Sequence, residues 1–156
     1  MEKPKTIVLI ACAATKLPQP APAEKLYDSP LFKKSLAYAH TLNPTAIYIL
    51  SAKHYVVPLK KTLAPYDMTL LDMKADEVKA WSNVIIKQLS TKYSMQNDNF
   101  IFLAGEKYRK YVVPQMTHTS APTKGLRIGE QLQWYTRKLA KKITEAIKKL
   151  FIFKKK

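Results

Sequence analysis

Three short stretches of the chain, residues 6–12 (TIVLIAC), 45–51 (TAIYILS) and 99–104 (NFIFLA), are apolar almost without interruption. A strand with one face in water alternates apolar and polar residues, so such runs are expected where a strand is buried on both faces. Between them the pattern turns helical. Residues 30–41 open on Ser29-Pro30, a hydroxyl N-cap followed by proline at the first helical position. Residues 75–93 carry Val78, Trp81, Ile85 and Leu89 at spacings of three and four. Residues 105–116 form a shorter helical stretch that Pro114 must end or kink. The clearest helix is 129–150. Leu132, Tyr135, Leu139, Ile143, Ala146, Ile147 and Leu150 make one stripe, while Arg137, Lys138, Lys141, Lys142, Lys148 and Lys149 cover much of the rest. The stripe is expected to complete the core, which favours a core helix over one lying on a membrane surface.

Strands alternating with helices predict βαβ units and a three-layer α/β fold: a mostly parallel sheet with helices on both faces. In that class ligands bind beyond the carboxyl ends of the strands. Three loops qualify: 12–29, 51–70 and the turn at Gly105. No repeat or second core divides the chain, so a single domain is expected over residues 1–150, with 151–156 as a basic tail whose last three lysines are frayed.

Charge narrows the choice of partner. The 156 residues hold 27 Lys plus Arg against 11 Asp plus Glu, a formal +16. Solubility asks a small domain for a net charge of only about 2–8. A polyanion relieves the excess self-repulsion and releases counterions as it binds, so nucleic acid is the expected partner. No apolar run approaches the roughly 20 residues of a membrane span, no signal-peptide pattern precedes residue 6, and no membrane or protein partner is implied. The one cysteine, Cys12, fits a reducing compartment, and cytoplasm is expected. With His40, His54 and His118 scattered, neither a metal site nor a cofactor is expected.

The first loop presents Lys16, suited to a phosphate, Tyr27, suited to stacking on a base, and Ser29, whose simplest role is the N-cap. Cys12 has no helix N-terminus or histidine beside it in sequence and reads as a buried structural thiol. The second loop brings Lys53, His54, Tyr55, Tyr66 and Asp67 together within one long connection. Asp67 repels phosphate, so it is either paired with a lysine or engaged in chemistry. Glycine is scarce: Gly105, Gly125 and Gly129 are the only three. They are expected where the backbone needs positive φ or close approach to a ligand. Gly129 opens the last helix, whose N-terminal amides face whatever binds there.

Cys12-x-x-x-Lys16, Leu26-Tyr27-x-Ser29-Pro30-x-Phe32, Leu50-Ser51-Ala52-Lys53-His54, Pro65-Tyr66-Asp67-x-Thr69-Leu70, Ala104-Gly105-x-x-Tyr108 and Gly125-Leu126-x-Ile128-Gly129-Glu130-Gln131-Leu132-x-Trp134 occur in this order. Together, over roughly residues 6–135, they resemble a family of small bacterial and phage domains similar to modified-base DNA glycosylases of the hydroxymethyluracil type. The first two segments also look like part of archaeosine synthase, a tRNA-modifying enzyme. A more distant likeness is to the YaaA-type peroxide-stress proteins, which bind DNA. Tyr55 stands where the pattern usually has glycine, and Arg127 where glycine is common. Both add bulk at the expected pocket.

The resemblance implies a uracil-DNA-glycosylase-like fold and a monofunctional glycosylase that flips a modified or damaged base and hydrolyses its glycosidic bond. Asp67, then Asp28, are the carboxylates for the cation-like transition state, with His54 as donor to the departing base. Tyr27 or Tyr66 would stack on the base, and Glu130 or Gln131 would read its edge. Ser29 and Gly105 complete the base site. Lys16, Lys53 and Arg127 would hold phosphates around the flipped nucleotide, and the basic face of the last helix, Arg137 and Lys141 included, is also expected to contact phosphates. The alternatives are a transferase acting on a tRNA base and a non-catalytic DNA-binding stress protein.

Overall fold

The computed structural model describes residues 2–155. In chain order the elements are β1 (Thr6–Ala11), β2 (Ala21–Pro22), α1 (Ala23–Leu26), α2 (Pro30–Thr41), β3 (Ala46–Ser51), β4 (Tyr55–Pro58), β5 (Thr62–Leu63), α3 (Ala75–Ser90), β6 (Asn99–Leu103), α4 (Glu106–Arg109), β7 (His118–Ser120) and α5 (Ile128–Lys155), with 3-10 turns at Leu70–Asp72 and Val113–Gln115. The main sheet has the order β4-β3-β1-β6-β7. Strand β1 lies at its centre, parallel to β3 and β6, β7 is parallel to β6, and β4 alone is antiparallel.

Alternate residues of β1 feed two cores, which is why its sequence is apolar throughout. Ile7 and Leu9 pack with Trp81 and Ile85 of α3 and with Phe100 and Phe102 of β6. Val8 and Ile10 face the other way, onto Phe32 and Ala39 of α2 and Tyr135 of α5. All four β1 residues are inaccessible to solvent, each contributing about 1.5–3 kcal/mol of burial. The expected three-layer α/β fold with helices on both faces is what forms.

Local chemistry places α2 and α3 as expected. Ser29 Oγ accepts a hydrogen bond from Phe32 N at 3.1 Å, with Pro30 at the first helical position. Val78, Trp81, Ile85 and Leu89 are the buried face of α3, and Trp81 Nε1 donates to the Ser51 carbonyl at 2.9 Å. That bond ties α3 to the carboxyl end of β3.

The structure departs from expectation in several places. The 51–70 connection is not an open loop: β4 returns antiparallel along β3, and β5 pairs with β2 from the first loop. Its length is spent on sheet. Strand β7 is exposed at all three residues and carries no apolar signal. The 105–116 stretch is one turn of α4 and a 3-10 turn holding Pro114, which has no N–H with which to continue a helix. Finally, α5 runs on through residues 151–155, so those residues are not a separate tail; Lys156 lies outside the described residues. The α5 stripe leaves the core halfway. Tyr135 is buried and Leu139 half-buried, yet Ile143, Ile147 and Leu150 are 60–63% exposed.

Candidate functional site

From β1 the chain crosses to β3 on one side, then returns past β1 to form β6 on the other. The loops leaving β1 and β6 therefore diverge, opening a crevice at their carboxyl ends, the position where open α/β sheets bind ligands. A cavity of about 330 Å³ occupies it. Its floor is Ala11–Ala13 and Leu103–Gly105, and its walls include Ser29, Phe32 and Tyr135. The lining is largely apolar, and the volume suits a small flat ligand.

A second cleft of about 580 Å³ adjoins the first and shares Ala104, Gly105 and Gln131 with it. Arg109, Lys110 and Lys124 give this cleft its positive charge, and Glu106 gives it one carboxylate. Arg109 Nε donates to the Ala104 carbonyl at 3.0 Å, which fixes the guanidinium against the end of β6. Gln131 Nε2 donates to the Leu126 carbonyl at 2.9 Å, so the amide is oriented and its oxygen remains as an acceptor. Gly125, at φ +81°, allows the 121–126 turn that carries Lys124. Of the three glycines it alone has positive φ. A Cβ at Gly105 or Gly129 would meet nothing within 4 Å, so the fold itself does not require glycine there.

Cys12 and Tyr135 are among the polar groups of the apolar cavity. Cys12 is half-buried in the floor with Sγ 3.4 Å from Tyr108 Oη, which corrects the expectation of a fully buried thiol. Burial pushes the Tyr108 hydroxyl far above its usual pKa. Burial also lifts Tyr135 to about 12, against a lowering hydrogen bond with Thr123. Both phenols stay neutral and offer hydrogen bonds rather than charge.

The expected residues fall into two groups. Ser29, Gly105 and Gln131 line the cavity, Ser29 doing so while also capping α2. The second group surrounds Tyr66. Its hydroxyl bonds both Tyr27 Oη, at 2.6 Å, and Ser51 Oγ, at 2.7 Å. Lys16 Nζ lies 4.2 Å and Lys53 Nζ 5.9 Å from its ring centroid, and the His54 ring stands edge-on at 5.2 Å. Burial, then the charges of Lys53 and Lys61, hold His54 below its usual pKa and favour the neutral imidazole. Burial lowers the Lys16 pKa, against the raising effect of Cys12 and Asp67.

The other expected residues lie in the core, at the surface or in local pairs rather than in the cavities. Tyr27 is 1% exposed and packs on Phe32 at 5.2 Å, so it is a core residue with no face to offer a base. Asp28 is ion-paired with Lys33 at 2.8 Å. Asp67 is exposed and lines neither cavity. Glu130 is exposed and spends Oε1 on Arg127 N at 3.0 Å, a capping bond for α5. Arg127, Arg137 and Lys141 are exposed, as a phosphate contact requires, but line neither cavity, and Lys141 lies six residues beyond Tyr135, about 9 Å along the helix. The residues missed are Glu106, Arg109, Lys110 and Lys124. The first three lie within five residues of Gly105, so the carboxyl-end rule that singled out Gly105 pointed at them too.

No curated protein and no solved structure matches the chain. A family match spans residues 7–137, from β1 through the packed beginning of α5, and ends two residues after Tyr135. The chain therefore belongs to the family of unknown function DUF6884.

Proposed function

We propose that this protein is a DNA glycosylase that flips out a modified or damaged base and hydrolyses its N-glycosidic bond. One observation carries the reading: a largely apolar cavity and a cation-lined cleft share a wall at the β1–β6 crevice. A nucleotide has the same division, a flat base on one side and a phosphate on the other. The base enters the apolar cavity, where the Gln131 amide oxygen accepts an N–H from its edge. Lys110, Lys124 and the remaining nitrogens of Arg109 hold the adjoining phosphates. Extrusion costs a few kcal/mol, least for a base that is already poorly paired.

Leaving of the base builds positive charge on the sugar, and a carboxylate beside C1′ stabilises it. Glu106, in the cleft wall, takes that role from Asp67 and Asp28. It also accepts the proton of the attacking water as the water oxygen bonds C1′. The electron pair of the broken C1′–N bond leaves on the base, which is then protonated from solvent. Water and the nucleotide thus become free base and an abasic site. The test is incubation with duplexes that each carry one modified base, followed by alkaline cleavage at abasic sites. Turnover of a tRNA base with no DNA excision would instead select the transferase alternative.

A further inference from the structure

Residues 138–155 continue α5 beyond the family match and, from Ala140 on, beyond the core. Every residue from Ala140 to Ile152 is exposed, and residues 140–155 extend the helix by about 24 Å. At about 100° per residue, Leu139, Ile143, Ala146, Ile147 and Leu150 share one arc. Arg137, Lys138, Lys141, Lys142, Lys148 and Lys149 occupy the opposite arc with Glu145, and Ile152 is the apolar exception there. Residues 138–155 hold seven Lys against this one acid, +6 of the chain's +16. More than a third of the excess charge therefore lies outside the matched domain that carries the candidate site.

We infer that this helix docks on an anionic lipid surface, lying in the plane of the membrane. The protein core does not cover the stripe, so completing the core is not its purpose. A second copy would meet the stripe with the same crowd of cations, and like charges along both flanks oppose that pairing. Nucleic acid would engage the lysines and leave Ile143, Ile147 and Leu150 in water. An anionic bilayer takes both faces: the stripe enters the headgroup–acyl boundary while the lysines meet lipid phosphates. No helix among the described residues is long and apolar enough to cross a membrane, which restricts the contact to the surface. The inference is independent of the glycosylase proposal.

The experiment is co-sedimentation of the full chain with phosphatidylcholine vesicles, with or without phosphatidylglycerol. Binding is expected to the anionic vesicles and to weaken with salt. Ile143→Gln combined with Ile147→Gln should reduce it about tenfold or more, with circular dichroism and DNA affinity unchanged because both positions are exposed and the substitutions add no charge. Lys148→Gln with Lys149→Gln, which keeps the stripe, should also reduce it about tenfold. Equal binding to both vesicle types, no binding to anionic vesicles, or full binding by the Ile143/Ile147 variant would overturn the inference. So would a wild-type dimer that the Ile143/Ile147 variant abolishes in the absence of vesicle binding, which would assign the stripe to a second copy.

Discussion

The Tyr27 hydroxyl lies 2.6 Å from that of Tyr66, and Tyr66 Oη lies 2.7 Å from Ser51 Oγ, joining residues from both long loops at the end of β3. Burial, above all, raises the pKa of both tyrosines, so the cluster is neutral over the physiological range. Ser51 Oγ also accepts the His54 N–H at 2.9 Å, which extends the cluster into the β3–β4 turn. Removing one member strands hydroxyls that water cannot easily reach. Tyr66→Phe should cost about 1–3 kcal/mol. In a double-mutant cycle with Ser51→Ala, measured by urea unfolding, the two losses should fall short of additivity by about 0.5 kcal/mol or more. Strict additivity would mean that the hydroxyls do not act together.

Tyr55 adopts φ +63°, in the left-handed region that glycine enters freely. This is also where the resemblance noted from sequence usually has glycine. Tyr55→Ala keeps the backbone strain and loses the ring, whereas Tyr55→Gly loses the ring and the strain. The glycine variant should therefore be the more stable of the two by about 1 kcal/mol. Urea midpoints decide the sign, and a more stable alanine variant would contradict the left-handed geometry.

Asp98 accepts Lys5 N at 2.8 Å and Ser94 N at 2.7 Å, pinning the approach to β1 beside the start of β6. Burial alone would raise its pKa, but these two N–H donors and the Lys5 charge outweigh it and hold the carboxyl below the usual 3.8. A depressed native pKa means that the unfolded chain takes up the proton first as pH falls. The stabilisation is therefore complete well above pH 3.8 and is lost as pH drops through the lower native value. Asp98→Ala should cost about 1–3 kcal/mol near neutrality. Its stability difference from wild type should narrow below pH 3.8, as followed by thermal melts across the acid range.

Much of the frame was legible because it rests on burial, which sequence records directly. The uninterrupted runs of β1, β3 and β6, the Ser29 cap and the buried face of α3 all carry short-range signals of that kind. Strands β4 and β7 were not legible: one is four residues ending in proline, the other wholly exposed, and both gain order from the neighbouring strand. Tyr27 looked like a stacking platform because a loop aromatic carries no mark of its burial. The fate of the α5 stripe was hidden for a related reason. Periodicity shows that a helix has an apolar face, but not whether anything in the chain reaches it.

Phosphate contacts make affinity fall with salt in proportion to the charges neutralised. If the second cleft holds phosphates, Lys110→Ala and Lys124→Ala should each lower the salt slope for duplex DNA by about one, across sequences alike. Both residues are exposed, so melting temperature should barely move. A slope unchanged in both variants would remove the cleft from the nucleic-acid surface.

Single-turnover excision by the wild type and by Glu106→Gln, on the panel of modified-base duplexes, tests the proposed chemistry most directly. The variant keeps the shape of the side chain in the cleft wall and removes its charge. The expected result is an abasic site from at least one modified base with the wild type, a rate lower by about 100-fold or more in the variant, and DNA affinity equal or tighter. Full activity in Glu106→Gln with loss in Asp67→Asn would return the catalytic role to Asp67. No abasic site from any duplex with the wild type would contradict the glycosylase reading altogether.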